Sequence, residues 1–149
     1  RAARLRENLD RLKLPAELVV ADAAQWDAGG AQFDAILLDA PCTASGIVRR
    51  HPDVRWLRRE ADIAQLAQQQ ARLLQALWPL LKPGGRLVYC TCSVFRAEGE
   101  AQIAAFVARH NEARMLPAPG HLVPQPGAGA QAAGVRARPP PSAIRSRRP

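Results

Sequence analysis

Apolar residues occur along this chain either at helical spacing or in short continuous runs, and the alternation of these two patterns predicts its helices and strands. Leucines at positions 5, 9 and 12 have helical spacing, so residues 1–13 are predicted to form a basic amphipathic helix that ends before Pro15. Short apolar runs at residues 18–22 and 33–39 each end in an aspartate and are typical of buried parallel strands. Residues 47–56 are polar and basic and predict an extended loop.

The second half of the pattern repeats the alternation with longer elements. Residues 60–81 predict a long helix with a kink at Pro79 and one gap, Gln70, in its apolar face. A third strand is expected over residues 86–92, and another helix over residues 97–111. Strands that alternate with helices favour an α/β fold with a parallel sheet covered by helices on both faces.

The composition changes sharply near residue 117. Residues 117–149 hold eight of the thirteen prolines, four of the ten glycines and no acidic residue, and they have no apolar periodicity. We therefore expect a folded unit over residues 1–116 and a disordered tail rich in proline, glycine and arginine over residues 117–149.

The formal net charge of +8 is confined to the two ends of the chain. Residues 1–14 carry five basic and two acidic groups, residues 136–149 carry five basic groups, and the rest balances. Basic composition therefore gives no argument for a nucleic-acid partner. No apolar run is long enough to span a membrane. An odd count of three cysteines favours a reducing, cytoplasmic setting over a disulfide framework, and the first residue, Arg1, suggests a start inside a longer protein.

Candidate chemistry lies where the predicted strands end. The first strand ends at Asp22, the second runs through Asp39 to Cys42, and the third ends at Cys92. Ligands of open parallel sheets bind beyond the carboxyl ends of the strands, and a single crossover helix makes the second and third strands neighbours. Both cysteines are therefore expected at the same edge of the sheet, whereas Cys90 is expected to be a small buried core residue.

Residue types alone leave several roles open for this pair of cysteines. A metal site is not expected, because the spacing lacks a C-x-x-C motif and no histidine is suitably placed. A redox dithiol, a cysteine nucleophile and two ordinary thiols are all compatible with the pattern. A nucleophile would need help, because a free thiol has a pKa near 8.5 and is mostly protonated at neutral pH.

Four motifs carry a resemblance to a known family over roughly residues 1–113. They are Asp39-Ala40-Pro41-Cys42-Thr43-Ala44-Ser45-Gly46, Arg49-Arg50-His51-Pro52-Asp53 followed by Trp56, Leu81-Lys82-Pro83-Gly84-Gly85, and Tyr89-Cys90-Thr91-Cys92-Ser93. In this order they resemble the RNA (cytosine-5) methyltransferases, and among these the bacterial small-subunit ribosomal RNA enzymes of the Sun/Fmu (RsmB) type. The resemblance implies an incomplete Rossmann-like fold that uses S-adenosylmethionine.

The resemblance assigns a role to each thiol. It implies that Cys92 is the nucleophile that adds to C6 of a cytosine, so that C5 can take a methyl group. It implies that Cys42 assists release of the product and that Asp39 lies against the cytosine and the methyl donor. An ionised Asp39 can also accept a hydrogen bond from the exocyclic amine of the base.

Further positions follow from the same resemblance. Asp22 ends the strand that contacts the adenine of the cofactor in this family, although it could also simply cap a loop. Pro41, Arg49 and Arg50 would lie near the RNA strand, and an exposed basic loop is the alternative for the two arginines. The expected partner is small-subunit ribosomal RNA, bound by a monomer without a metal ion.

The sequence also departs from the family pattern. The glycine-rich cofactor loop and the acidic residue that holds the ribose are absent, so we expect residues 1–149 alone to bind the cofactor poorly and to have little or no activity. From Gln125 onward the composition suggests a shift of reading frame. The alternatives are a non-catalytic α/β module that binds RNA or a protein partner and, more remotely, a thiol redox protein.

Overall fold

The computed structural model describes residues 1–118, Gly120 and the backbone of residues 133–137. Its helices are α1 (Ala2–Leu12), α2 (Val54–Leu57), α3 (Glu60–Leu77) and α4 (Glu100–Arg109). Its strands are β1 (Phe33–Asp39), β2 (Leu81–Cys90), β3 (Ala113–Leu116) and β4 (Ala133–Ala137). The α/β class predicted from the sequence is confirmed.

The four strands form one sheet in the order β1-β2-β4-β3. Strands β1 and β2 are parallel and joined through α3, as predicted, so Asp39 lies opposite Cys90. Strand β4 is antiparallel to both of its neighbours, β2 and β3. The sheet is therefore mixed, and part of the segment that was expected to be a disordered tail contributes a strand. The rest of that predicted tail, apart from residues 117, 118 and 120, lies outside the described residues.

The hydrophobic core lies between one face of the sheet and helices α3 and α4. Its apolar side chains include Leu38, Leu81, Leu87, Tyr89 and Ala113 from the strands, Leu73, Leu74, Leu77, Ile103 and Phe106 from the helices, and Ala40 and Trp78 from the residues that follow β1 and α3. On the opposite face of β1, Leu37 is 70% exposed, and α1 has no buried residue. Within residues 1–118, packed helices thus cover one face of the sheet.

The predicted strand over residues 18–22 is wrong. The segment pairs with no described strand, and Val19 and Val20 are exposed. A strand forms only where a neighbour accepts its backbone hydrogen bonds. Strand β1 is the edge of the described sheet, and residues 18–22 do not pair with it. Asp22 consequently lies in a loop instead of ending a strand.

Other boundaries differ for local reasons. Helix α3 ends at Leu77 and a short 3-10 turn, Trp78–Leu80, takes up Pro79, so the predicted kink is a termination. Strand β2 begins at Leu81 but bulges at once: Leu81 pairs with Phe33 and Arg86 with Ala35. Residues 47–56 are not extended, because the end of a 3-10 turn, Ser45–Ile47, turns at residues 48–50 and 52–53, and the start of helix α2 occupy the stretch.

Candidate functional site

The site lies where β1 and β2 end side by side. The backbone N–H of Ala40 donates to the carbonyl of Cys90 at 3.0 Å, which carries the ladder one residue beyond β1. Beyond β1 the chain continues into a loop that holds Cys42, and beyond β2 it continues into a loop that holds Cys92. The predicted meeting of these two cysteines at one sheet edge is therefore observed.

The thiols of Cys42 and Cys92 are in direct contact. Their Sγ atoms lie 3.3 Å apart, and both cysteines are free. Burial, followed by the hydrogen bond with Cys42, raises the pKa of Cys92 to about 11. Cys92 is therefore a neutral thiol near neutral pH in this state, although its residue is exposed to solvent.

Asp39 and Cys90 form a second contact beside the thiol pair. The Cys90 thiol lies 3.7 Å from Asp39 Oδ1, and it also lies 3.7 Å from the carbonyl of Leu38. Burial and the neighbouring Asp39 carboxylate raise the pKa of Cys90. The expectation that Cys90 is a buried core residue is wrong: its position in β2 directs it to the face opposite the core, where it is half-buried.

A buried carboxylate that the sequence analysis did not single out joins the two cysteine loops. Glu98 is fully buried and accepts hydrogen bonds from Thr43, Ser93 and Gln70. The Gln70 amide also donates to the carbonyl of Pro41 at 2.9 Å. Gln70, the polar residue that interrupts the apolar face of α3, was the one sequence signal of this network.

Asp22 lies outside the thiol cluster. Its carboxylate accepts from the backbone N–H of Ala24 at 3.0 Å and from Arg72 at 2.6 Å. The Ala24 hydrogen bond, followed by the Arg72 guanidinium, holds the pKa of Asp22 below its ordinary value. The structure thus gives Asp22 the loop-capping role that the sequence left open, and contact with adenine stays a prediction. Trp26 stacks on Phe33, with ring centroids 6.0 Å apart.

The loop after Cys42 exposes a basic and aromatic surface. Pro41, Arg49 and Arg50 are exposed, and Trp56 on α2 is 84% exposed. Arg58 is anchored, because its Nε donates to the carbonyl of Thr43 at 3.0 Å. The surface is therefore attached directly to the cysteine loop.

Two further properties concern the described residues only. Among them, no three His, Cys, Asp or Glu side chains are grouped so that they could hold a metal ion. None of the helices described has the length and apolar character needed to cross a membrane.

Comparison with known proteins gives consistent matches. Residues 1–143 match the family described as 16S rRNA methyltransferase RsmB/F. The chain is 52% identical over 118 residues to "Ribosomal RNA small subunit methyltransferase B" of Yersinia enterocolitica, an alignment that covers 78% of this chain and 28% of that protein. The chain thus spans a little over a quarter of the length of this curated relative. A frame shift at Gln125 stays a prediction, and the family match through residue 143 speaks against it.

Solved structures agree with this match. A methyltransferase homologue from Pyrococcus horikoshii superimposes with a TM-score of 0.67 at 28% identity, over 91% of this chain and 50% of that one. NSun6 from the same organism, crystallised with SFG, gives a TM-score of 0.69 at 27% identity, over 91% of this chain and 37% of that one.

Proposed function

Because this chain belongs to the RsmB/F family of 16S rRNA methyltransferases, we propose that it supplies the catalytic cysteines of an RNA (cytosine-5) methyltransferase. The reaction moves a methyl group from S-adenosylmethionine to C5 of a cytosine in small-subunit ribosomal RNA. The observation that carries the proposal is the contact between the Sγ atoms of Cys42 and Cys92, 3.3 Å apart at two neighbouring strand ends. One thiol can hold the base while the other acts on the product.

Cys92 is the nucleophile in this proposal. C5 of cytosine is too poor a nucleophile to take a methyl group unaided. The Cys92 Sγ, after losing its proton to solvent, forms a bond to C6, and the electron pair of the C5–C6 double bond becomes available at C5. C5 would then bond to the methyl carbon, whose bond to the sulfonium sulfur of the donor breaks and leaves its electron pair on that sulfur. Loss of the C5 proton returns its electron pair to the ring, the S–C6 bond breaks, and Cys92 leaves as a thiolate.

Cys42 is assigned to the release step. Its thiolate form takes the C5 proton, so that the bond between Cys92 and C6 can break. Asp39 lies at the end of β1, is exposed, and among the described residues its carboxylate accepts only a long contact from Cys90. Its carboxylate is therefore available to accept a hydrogen bond from the exocyclic amine of the base.

The acidic side chains fit the methyl donor. Asp39 and Asp22 would hold it, since a carboxylate oxygen has two acceptor sites and each oxygen of Asp22 uses one for Ala24 or Arg72. When bound, S-adenosylmethionine supplies an electrophilic methyl group. The described chain offers no glycine-rich loop for the rest of that molecule, so residues 1–149 alone are expected to bind it weakly. Isothermal titration tests this, and micromolar binding would contradict it.

RNA would lie across the surface after Cys42. Arg49 and Arg50 can neutralise phosphates, and Pro41 would lie beside the strand. Trp56 adds a feature that single-stranded bases use: an exposed aromatic face on which a base can stack.

A covalent trap tests the proposal. The protein is a hybrid in which this chain replaces the matching segment of the Yersinia enterocolitica relative. RNA that carries 5-fluorocytosine has no C5 proton to lose, so the enzyme should stay bonded to C6. We expect an adduct that survives denaturation, that Cys92→Ala abolishes and that Cys42→Ala allows to accumulate even on unmodified RNA.

Cys90→Ala is the matched control, because it removes a third thiol only two residues from Cys92. It should leave the adduct in place. Absence of an adduct with a folded hybrid would reject the cysteine mechanism and favour a non-catalytic RNA-binding module. An adduct through Cys42 instead would reverse the two assigned roles.

A further inference from the structure

We infer that Glu98 is a positioning residue that sets the distance between the thiols of Cys42 and Cys92. Its importance for methyl transfer rests on the function proposed above, but its effect on the thiols does not. Glu98 ends the 3-10 turn Arg96–Glu98 that precedes α4, and its side chain bonds to the residue that follows each cysteine, Thr43 and Ser93.

The first loop is held at Thr43, the residue that follows Cys42. The backbone N–H of Thr43 donates to Glu98 Oε1 at 2.9 Å, and its hydroxyl lies 2.6 Å from Oε2. Two contacts to the same carboxylate fix both the backbone and the side chain of Thr43. The backbone of Cys42 is therefore restrained at the peptide bond that joins it to Thr43.

The second loop is held at Ser93, the residue that follows Cys92. Its hydroxyl donates to Glu98 Oε2 at 2.5 Å. The same hydroxyl oxygen accepts from the backbone N–H of Phe95 at 3.0 Å, so Ser93 links the carboxylate to the turn of its own loop. One oxygen of Glu98 thus receives a hydroxyl from each cysteine loop, in each case from the residue after the cysteine.

The chemistry of the cluster requires a carboxylate. Glu98 is fully buried, and every side-chain hydrogen bond that it makes is accepted by its oxygens. An amide at this position would turn an N–H group toward donors such as Thr43 or Ser93. The backbone carbonyl of Glu98 is held as well, because the Tyr89 hydroxyl donates to it at 2.6 Å. Glu98 is therefore anchored to β2 and cannot follow either loop if that loop moves.

Thiol–disulfide exchange measures the predicted effect directly. The 149-residue chain, with Cys90 replaced by serine, is equilibrated with reduced and oxidised glutathione. Cys42 and Cys92 form one S–S bond, one oxidised glutathione is reduced to two thiols, and the equilibrium constant reports how closely the two Sγ atoms are held. We expect Glu98→Gln to lower this constant by about tenfold or more, in proportion to the lost charge-assisted hydrogen bonds.

Glu100→Gln is the matched control. It makes the same change two residues further on, at an exposed side chain that pairs only with Arg96 among the described residues. Its exchange constant should equal that of the parent chain. Circular dichroism melting of every variant shows that exchange is measured on folded protein.

A milder variant keeps the inference testable if Glu98→Gln does not fold. Ser93→Ala removes one of the two hydroxyl contacts to Glu98 Oε2, together with the contacts of the same hydroxyl to Thr43, Ser45 and Phe95, and should also lower the exchange constant. Folded Glu98→Gln or Ser93→Ala chains with an unchanged constant would overturn the inference and leave Glu98 as a contributor to stability alone.

The hybrid enzyme separates this inference from the proposed function. There, Glu98→Gln should lower kcat for methyl transfer with a smaller change in KM for RNA, because the hydrogen bonds described for Glu98 go to Thr43, Gln70, Tyr89 and Ser93 and not to Arg49, Arg50 or Trp56. A lowered exchange constant without any methyl transfer by the unsubstituted hybrid would uphold the positioning role and reject the proposed reaction. A raised KM with unchanged kcat would contradict a role in positioning the thiols.

Discussion

Gly46 gives the sharpest test of how the two cysteine loops fit together. Its backbone N–H donates to the carbonyl oxygen of Cys92 at 2.8 Å. A Cβ atom built on Gly46 would lie 2.8 Å from that oxygen and 3.4 Å from the carbonyl carbon. Any side chain at position 46 therefore pushes against the backbone of the proposed nucleophile.

The size of the conflict can be taken from these distances. Ordinary van der Waals contact for a Cβ begins at 3.4 Å, so in Gly46→Ala the Cys92 carbonyl must retreat from 2.8 Å by several tenths of an ångström. Strain of this kind costs about 1–3 kcal/mol when well-packed groups must shift. The retreat also stretches the hydrogen bond, which is worth about 0.5–1.5 kcal/mol. We expect a free energy of unfolding lower by about 2 kcal/mol.

Two measurements check the expectation. Urea unfolding gives the loss of stability, and the glutathione exchange constant in the Cys90→Ser background gives the separation of the thiols. Gly85→Ala is the control, because its Cβ would lie 2.8 Å from the carbonyl oxygen of Lys82, at the opposite end of β2. The same Cβ would lie 2.9 Å from Leu81 Cγ and 3.0 Å from the carbonyl oxygen of Asp34, so Gly85→Ala should cost at least as much stability and leave thiol exchange unchanged.

The reasoning fails on either of two results. Gly46→Ala could unfold at the same urea concentration as the parent chain and keep its exchange constant. That result would mean that the Cys92 carbonyl moves away from position 46 without a loss of free energy of unfolding. Alternatively, Gly85→Ala could change the exchange constant as much as Gly46→Ala does. The effect at position 46 would then reflect general loosening of the sheet.

Three further predictions follow from single features of the site. Trp56→Ala in the hybrid should weaken RNA binding by about 1–3 kcal/mol, measured by filter binding. Leu57 is also exposed, and Leu57→Ala should not weaken binding. Equal losses of affinity in the two variants would argue against stacking. The rate of Cys92 alkylation by iodoacetamide should rise about tenfold per pH unit and level off only near pH 11, because only the thiolate reacts and partial burial of the thiol, followed by its contact with Cys42, raises its pKa. A plateau below pH 9 would contradict that raised pKa. Ala44→Gly should raise the free energy of unfolding in urea by about 1 kcal/mol. Ala44 has a φ of 58°, a left-handed conformation that strains an alanine but that glycine adopts without a Cβ conflict. An unchanged unfolding midpoint would argue against backbone strain at this position.

The local sequence pattern was sufficient to predict elements whose formation depends on residues close by in sequence. Helix α1 and strand β1 lie within a residue or two of their predicted ends, because helical spacing and an apolar run are local properties. The meeting of Cys42 and Cys92 was also predictable. A single crossover between parallel strands places both strand ends at one edge, whatever the details of the loops.

Elements that depend on a distant partner were not predictable in the same way. Residues 18–22 have the apolar run of a strand, but the run alone does not provide a neighbour to pair with. Strand β4 has no apolar signal in a segment rich in proline and glycine, and its place between β2 and β3 follows from tertiary pairing.

Glu98 shows the same limit within the site. Its partners lie 5, 28 and 55 residues away, at Ser93, Gln70 and Thr43. No short motif links positions that far apart. A sequence shows that Gln70 interrupts an apolar face, yet it does not show what the amide meets there.

The dependence on Glu98 also bears on the order in which the parts of the site are synthesised and assembled. A chain is synthesised from its amino terminus, and Cys42 emerges more than fifty residues before the carboxylate that restrains its neighbour Thr43. Even when Cys92 has been made, both loops lack the hydrogen bonds to the Glu98 carboxylate until the residues leading into α4 have followed and packed. The reactive pair is therefore assembled late, so a nascent chain that stalls before Glu98 carries both thiols without the geometry to use them.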